Sequence, residues 1–228
     1  MNDYVVVIPS RNRYEFALRA IRSALNQTIP PVEVYLVDDA STDRRYDWIE
    51  EIVDDARLTM IRRKVPSRVE WQCGFAVGCV RNEALWLICK QEKWDGWVAF
   101  LDDDDEWMPE KTSVQLQAAK DHGARVICSN AYNRSRTGVV MGFHHGEHGR
   151  QIGPSVWDVT AILHALNPVI NSTGMLHHDV AREVGLQKPN EYGEDWLYWQ
   201  QAAMFSPVLR VDEPLALYTL GNSKEYEL

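Results

Sequence analysis

Four consecutive aspartates, Asp102 to Asp105, follow directly on the apolar run Trp97-Val98-Ala99-Phe100-Leu101. The run reads as a short buried strand bounded upstream by Gly96, so like charges crowd at a strand mouth. Two carboxylates roughly 5 Å apart at an effective dielectric of about 20 repel by ~3 kcal/mol. Such crowding is tolerated where the acids point into water, share protons or hold a cation. Oxygen-only ligands at a strand end suit a hard divalent ion, Mg²⁺ or Mn²⁺. Alternation along an extended chain puts Asp102 and Asp104 on one side and Asp103 and Asp105 on the other. An Asp-x-Asp pair is then a two-point grip on a metal that also holds a phosphate. The competing reading is a solvated acidic turn that caps the next helix.

The elements around this junction alternate. Tyr4 to Ile8 reads as a strand and Pro9 to Arg13 as a loop. Asn12 followed by Glu15 has the form of a capping box, ahead of Ala17, Ala20, Ile21, Ala24 and Leu25 at helical spacing. Val32 to Val37 is a second strand, ending in Asp38-Asp39-Ala40-Ser41-Thr42-Asp43. A helix follows over Tyr46 to Val53, a strand over Leu58 to Arg62, and a helix outlined by Val77, Val80, Ala84, Leu85 and Ile88. Beyond the aspartates, Pro109-Glu110 starts a helix with Pro in its first turn. Arg125 to Ser129 and Val139 to Phe143 read as short strands, Gly142 to Gly153 as a loop, and Val156 to Leu166 and Glu194 to Phe205 as helices. This order predicts an α/β domain: a mostly parallel central sheet, helices on both faces and a more irregular C-terminal half. Open sheets of this kind bind ligands at the carboxyl ends of their strands. The loops Pro9 to Arg13, Asp38 to Asp43 and Asp102 to Glu106 all fall there.

The chain has 228 residues, 45% hydrophobic and 25% charged, which suits one packed domain. Its net charge of −9 disfavours nucleic acid as a partner. No apolar run approaches the ~20 residues of a membrane-spanning helix. The N-terminus lacks a basic region followed by an apolar one and does not read as a secretory signal. The cysteines Cys73, Cys79, Cys89 and Cys128 form no Cys-x-x-Cys pair and read as reduced thiols. Together these predict a cytoplasmic setting, with peripheral membrane contact compatible.

Five stretches resemble, in order and spacing, the inverting family 2 glycosyltransferases, which have the GT-A fold. They are Val6-Val7-Ile8-Pro9-Ser10-Arg11-Asn12-Arg13; Val37-Asp38-Asp39-Ala40-Ser41-Thr42-Asp43; Arg81-Asn82; Phe100-Leu101-Asp102-Asp103-Asp104-Asp105-Glu106-Trp107-Met108-Pro109; and Glu194-Asp195-Trp196-Leu197. Each alone is weak, but the ordered set covers about residues 4 to 205. The resemblance divides the single domain into a nucleotide-sugar half, about 1–108, and an acceptor half, about 109–228. It implies that Pro9, Arg11 and Arg13 border the nucleotide, and that Arg81 lies near it through a charge-assisted bond, the competing reading being an arginine that snorkels from a helix. Asp39 would accept the base N–H. A carboxylate is acceptor-only, so this favours uracil and a UDP-sugar donor. Asp43 is a turn residue.

The same resemblance puts Asp104 on a Mn²⁺ or Mg²⁺ ion that bridges the diphosphate oxygens. Asp102 or Asp103 would hold the ribose or a metal-bound water, Asp102 being the candidate second metal ligand. Asp105 would help start the helix at Pro109. Asp195 corresponds to the base that takes the acceptor hydroxyl's proton, with Glu194 as the alternative. Asn171-Ser172-Thr173-Gly174-Met175 would line the acceptor, a small Gly174 letting a sugar approach the backbone, or would form an ordinary turn. Many relatives carry a Tyr-Arg-x-His-like stretch after the last strand. Tyr218-Thr219-Leu220-Gly221 stands there without Arg or His, which leaves substrate phosphate and water to complete a metal shell.

His144, His145 and His148 lack helical metal-ligand spacing and read as a surface loop. His177-His178 fits either a helix start or the acceptor side. Trp94, Trp97, Trp107, Trp196 and Trp199 read first as core. Two other functions compete. A sugar-phosphate nucleotidyltransferase would prefer a Gly-rich basic first loop, and Ser10 to Arg13 has the charge without glycine. A non-catalytic carbohydrate-binding domain of the same fold would show no metal-dependent nucleotide binding.

Overall fold

The computed structural model describes residues 2–70, 77–135, 137–143, 149–188 and 193–221. The first half alternates as β1 (Tyr4–Ser10), α1 (Tyr14–Leu25), β2 (Glu33–Asp38), α2 (Ile49–Val53), β3 (Leu58–Arg62), α3 (Ser67–Glu70), α4 (Val77–Cys89) and β4 (Trp97–Phe100). The second half runs β5 (Glu106–Trp107), α5 (Lys111–His122), β6 (Val126–Arg134), β7 (Val140–Phe143), β8 (Arg150–Gly153), β9 (Val156–Asp158), β10 (Met175–His177), α6 (His178–Val184), α7 (Glu194–Ala202) and β11 (Val208–Thr219).

The strands form one sheet in the order β3-β2-β1-β4-β10-β6-β11-β9-β8, with β5 on β11 and β7 on β6. The β3-β2-β1-β4 block is parallel, as helical crossovers require. β6 and β11 are also parallel, while β10 runs antiparallel between β4 and β6. Alternation sends Tyr4, Val6 and Ile8 of β1 to one face, packed with Ala17, Ile21, Ile49 and Leu116. Val5 and Val7 go to the other, with Val80, Leu85, Ile88, Tyr198 and Trp199. Helices therefore cover both faces, and both cores are continuous with the strand ends that carry the acids. Trp97, Trp107 and Trp199 are core, as expected, and Trp94 and Trp196 pack against it.

Several sequence expectations are corrected. The Asn12–Glu15 capping box does not form: Arg13 is the N-cap and makes no side-chain cap bond. Asn12 sits at φ 52, and its Oδ1 accepts from the Thr42 and Asp43 N–H groups at 2.7 and 3.2 Å, tying the first loop to the second. Tyr46 to Val53 splits into a 3-10 turn, Arg44–Trp48, and α2. The helix expected over Val156 to Leu166 is β9 followed by a 3-10 turn, Thr160–His164. Asp158 explains the break, because its carboxylate accepts from both Thr160 N and Oγ1. Pro109 precedes the N-cap Glu110 rather than entering α5. Strand β7 and strand β8 take the two ends of the expected Gly142–Gly153 loop, and His144, His145 and His148 lie outside the described residues, as does Cys73. Cys79, Cys89 and Cys128 are free thiols.

Gly174 is also reassigned. A Cβ there would lie 2.2 Å from Cζ2 of the buried Trp199 ring, so the missing side chain makes room for core tryptophan, not for a sugar. Gly174→Ala is expected to cost ~1–3 kcal/mol through overpacking. Thermal unfolding should show the loss as a lower Tm; an unchanged Tm would mean that Trp199 has somewhere else to go.

Candidate active site

The three strand-end loops meet. At the end of β1 the Ser10 hydroxyl donates to Asp103 Oδ2 at 2.6 Å and shares a 2.5 Å bond with the Tyr46 hydroxyl. Arg13 Nη1 reaches Asp103 at 2.8 Å and Asp104 at 3.1 Å. Arg11 Nη1 donates to the Asp39 carbonyl at 2.5 Å. Pro9 pairs in register with Val37, which leads into Asp38 and Asp39. Pro9, Arg11, Arg13, Asp39 and the aspartate run thus gather at the carboxyl ends of β1, β2 and β4.

Asp39 is nearly enclosed. Its two oxygens accept from Ser67 N and Ser67 Oγ, each at 2.7 Å, and Arg63 Nε lies 3.1 Å away. Arg63 also lines a cleft of about 280 Å³ with Arg62, Lys64, Glu70 and Glu83. Asp43 serves the turn, accepting from Arg45 N at 3.0 Å. Ser67 carries no sequence signal for this role; it opens α3, and both its N–H and its hydroxyl turn to Asp39.

The four aspartates leave the strand in a turn, Asp105 N donating to the Asp102 carbonyl at 3.1 Å. Burial still alternates along them: Asp103 and Asp105 are buried, Asp102 and Asp104 half-buried. Burial pushes the Asp103 carboxyl up to about 7 against the pull of Arg13. Burial likewise raises Asp104, and Arg13 again opposes. Asp105 does not start a helix. Its Oδ1 accepts from Thr219 N at 2.7 Å and its Oδ2 from the Ser172 hydroxyl at 2.5 Å. Burial, then Asp104 and Asp102, hold it well above the carboxylate range. Arg134 Nη2 and the Thr219 hydroxyl clamp the Asp104 carbonyl. Thr219, within the stretch that lacks the histidine, is therefore a support of the loop. Tyr218 beside it faces the same acids: burial, then Asp105, Asp102 and Asp104, push its phenol up to about 12.

Arg81 joins this cluster to α7. It is 2% exposed, so it does not snorkel. Its Nη2 lies 2.5 Å from Asp102 Oδ1 and its Nη1 3.6 Å from Glu194. Burial works against its charge, but Asp102 and Glu194 outweigh it and keep the guanidinium firmly protonated. Asn171, with its amide oxygen turned to Arg81, accepts from Nε at 3.3 Å and Nη2 at 3.0 Å. Asp195 lies one residue on in the first turn of α7, its Oδ1 taking the Trp196 N–H at 2.7 Å. Burial, then the Glu194 charge, push Asp195 up to about 6 while Arg81 pulls it down. Trp196 Nε1 and Gln200 Nε2 both donate to the Leu163 carbonyl and fix α7 in place. His178, by contrast, starts α6 with Nε2 against the Ile88 carbonyl at 3.1 Å, on the helix-start side of its two readings.

Among the described residues no three His, Cys, Asp or Glu side chains converge as a metal cage. Asp102 and Asp104 offer two part-exposed, all-oxygen ligands. That donor set fits a hard cation which keeps water and phosphate oxygens in its shell.

A model of glycosyl transferase family 2 matches residues 5–166, and the chain belongs to that family. It is 32% identical over 127 residues to the UDP-Glc:alpha-D-GlcNAc-diphosphoundecaprenol beta-1,3-glucosyltransferase of Escherichia coli, covering 56% of this chain and 45% of that one. An uncharacterized glycosyltransferase of Haemophilus influenzae is 25% identical over 232 residues, 95% of this chain and 65% of its own. The crystal structure of S. aureus TarS 1-349 in complex with UDP superposes with a TM-score of 0.69 at 21% identity, over 96% of this chain and 61% of that one. The fold is thus the GT-A-like α/β fold expected. This chain spans less than two thirds of each of these proteins. No helix among the described residues is long and apolar enough to cross a membrane.

Proposed function

We propose that the chain is an inverting, metal-dependent glycosyltransferase that moves a sugar from a UDP-sugar to a hydroxyl acceptor. The observation that carries this reading is the Asp102–Arg81–Glu194 bridge, which ties the head of the aspartate run to the residue next to Asp195. The donor occupies the half formed by about residues 1–108 and the acceptor the half from about 109. Arg11 and Arg13 border the nucleotide, and Asp102 or Asp103 holds the ribose. Asp104, with Asp102, would hold Mn²⁺ or Mg²⁺, which neutralises charge on the leaving diphosphate.

Asp195 takes the proton of the acceptor hydroxyl as its oxygen attacks the anomeric carbon. The bond from that carbon to the diphosphate oxygen breaks with its electron pair, and the configuration inverts. A carboxyl raised to about 6 is ionised at neutral pH yet basic enough for the task. The relatives' printed activities and the UDP in TarS support the donor class. Polysaccharide, lipid-linked sugar and protein hydroxyls all suit the acceptor role.

Thermal shift against a panel of nucleoside diphosphate sugars with Mn²⁺ tests the donor. UDP-sugars should raise the Tm most, since a ligand that binds only the folded state stabilises it. No shift with UDP and Mn²⁺ would favour a non-catalytic binding domain, and pyrophosphate release from a nucleoside triphosphate would favour a nucleotidyltransferase. Asp39→Asn gives a sharper check. An amide keeps one acceptor oxygen for the imide N–H of uracil but can also turn its NH2 to the bare ring nitrogen of cytosine. The variant should narrow the difference between UDP-induced and CDP-induced stabilisation; an unchanged preference would remove Asp39 from base reading.

A further inference from the structure

Asn82 follows Arg81 on α4, and the donor reading leaves it without a task. Its side chain clamps a distant backbone: Nδ2 donates to the Gln187 carbonyl, and the Gln187 N–H donates to Oδ1, both at 2.8 Å. Gln187 is buried, and its Oε1 accepts from Arg81 Nη1 at 3.3 Å. Gly78 completes the face. A Cβ there would lie 2.9 Å from Gln187 Oε1 and 3.0 Å from Glu194 Cγ. Gly78, Arg81 and Asn82 stand at i, i+3 and i+4, so they share one side of the helix. That side seats both Gln187 and the Glu194-Asp195 turn. The start of α7 has no side-chain cap of its own, its N-cap being Gly193 at φ 71. The Leu163 bonds hold Trp196 and Gln200, while the α4 face packs against Glu194 in the first turn.

We propose that Asn82 is a positioning residue for the base. It holds Gln187, which packs with Arg81 and Glu194 on that face of α4, and so sets where α7 starts and the separation between Asp195 and a donor held at Asp102 and Asp104. The inference rests on Asp195 acting as the base. Asparagine suits the task because one planar amide supplies both the acceptor and the donor that a peptide unit needs. Aspartate lacks the donor, and alanine lacks both.

The test compares Asn82→Ala and Asn82→Asp with Asp195→Asn, reading Tm, donor KM and transfer kcat. If Asn82 positions the base, both Asn82 variants bind UDP-sugar with KM within about threefold of wild type. Their kcat falls, by about 10²-fold for alanine, the scale of an ångström of misplacement, and by less for aspartate, which keeps the acceptor. The acid limb of the pH–rate profile stays near that of wild type, because the same carboxylate still acts. A parallel fall of Tm, donor affinity and kcat would reduce Asn82 to a stabilising clamp and overturn the proposal. So would a wild-type kcat in both Asn82 variants while Asp195→Asn is inactive. Should Asn82→Ala not fold, the kcat-against-KM split in Asn82→Asp decides. Full transfer by Asp195→Asn would instead overturn the base assignment, and this inference with it.

Discussion

Replacing Asp195 by asparagine is expected to lower kcat for sugar transfer by about 10³-fold with little change in donor KM, the scale of a lost general base. The side chain keeps its size and its bond to the Trp196 N–H, so α7 should hold its place. The pH dependence follows from the same group. Burial and Glu194 raise the Asp195 carboxyl to about 6. The base acts only when ionised, so kcat/KM should be flat above that pH and fall about tenfold per unit below it. Asp195→Asn should lose this limb. A variant that keeps both the rate and the limb would assign the proton to another acceptor, Glu194 being the neighbour to test.

The second large effect is at Asp104. Asp104→Ala should remove Mn²⁺ stimulation and reduce kcat by about 10²–10³-fold, the scale of one lost group that stabilises transition-state charge. Its fold should survive, because Arg13 retains Asp103 at 2.8 Å and the Asp104 backbone stays clamped by Arg134 and Thr219. Asp105→Ala should behave in the opposite way. It strands the Thr219 N–H and the Ser172 hydroxyl in the interior, at a cost of about 1–3 kcal/mol per buried group. Adjacent aspartates would thus separate into one variant that is stable and inactive and one that is destabilised. Metal stimulation that persists in Asp104→Ala would rule out the metal role.

Sequence reading reached furthest where periodicity and loop position agreed. Alternation of strand and helix placed β1, β2, β3 and β4 and the three loops at their carboxyl ends, because a parallel βαβ unit leaves few other arrangements. It failed where a single side chain overrides periodicity. Asp158 ends β9 with a local turn, and Asn12 spends its acceptor on the second loop instead of α1. The aspartate run shows the same limit. Its charge and place were legible, but the fate of each acid depends on partners far along the chain: Ser10 and Arg13 for Asp103, Arg81 for Asp102, Ser172 and Thr219 for Asp105. Ser67 over Asp39, the Asn82 clamp on Gln187 and Trp199 against Gly174 are contacts of the same long-range kind.

The stereochemistry of donor cleavage tests the central claim most directly. With Mn²⁺ and the best α-linked UDP-sugar, slow hydrolysis can be followed by NMR before the released sugar equilibrates. An inverting site with Asp195 as base should release the β-anomer first, at a rate that collapses in Asp195→Asn. Release of the α-anomer first would contradict a single displacement at this site.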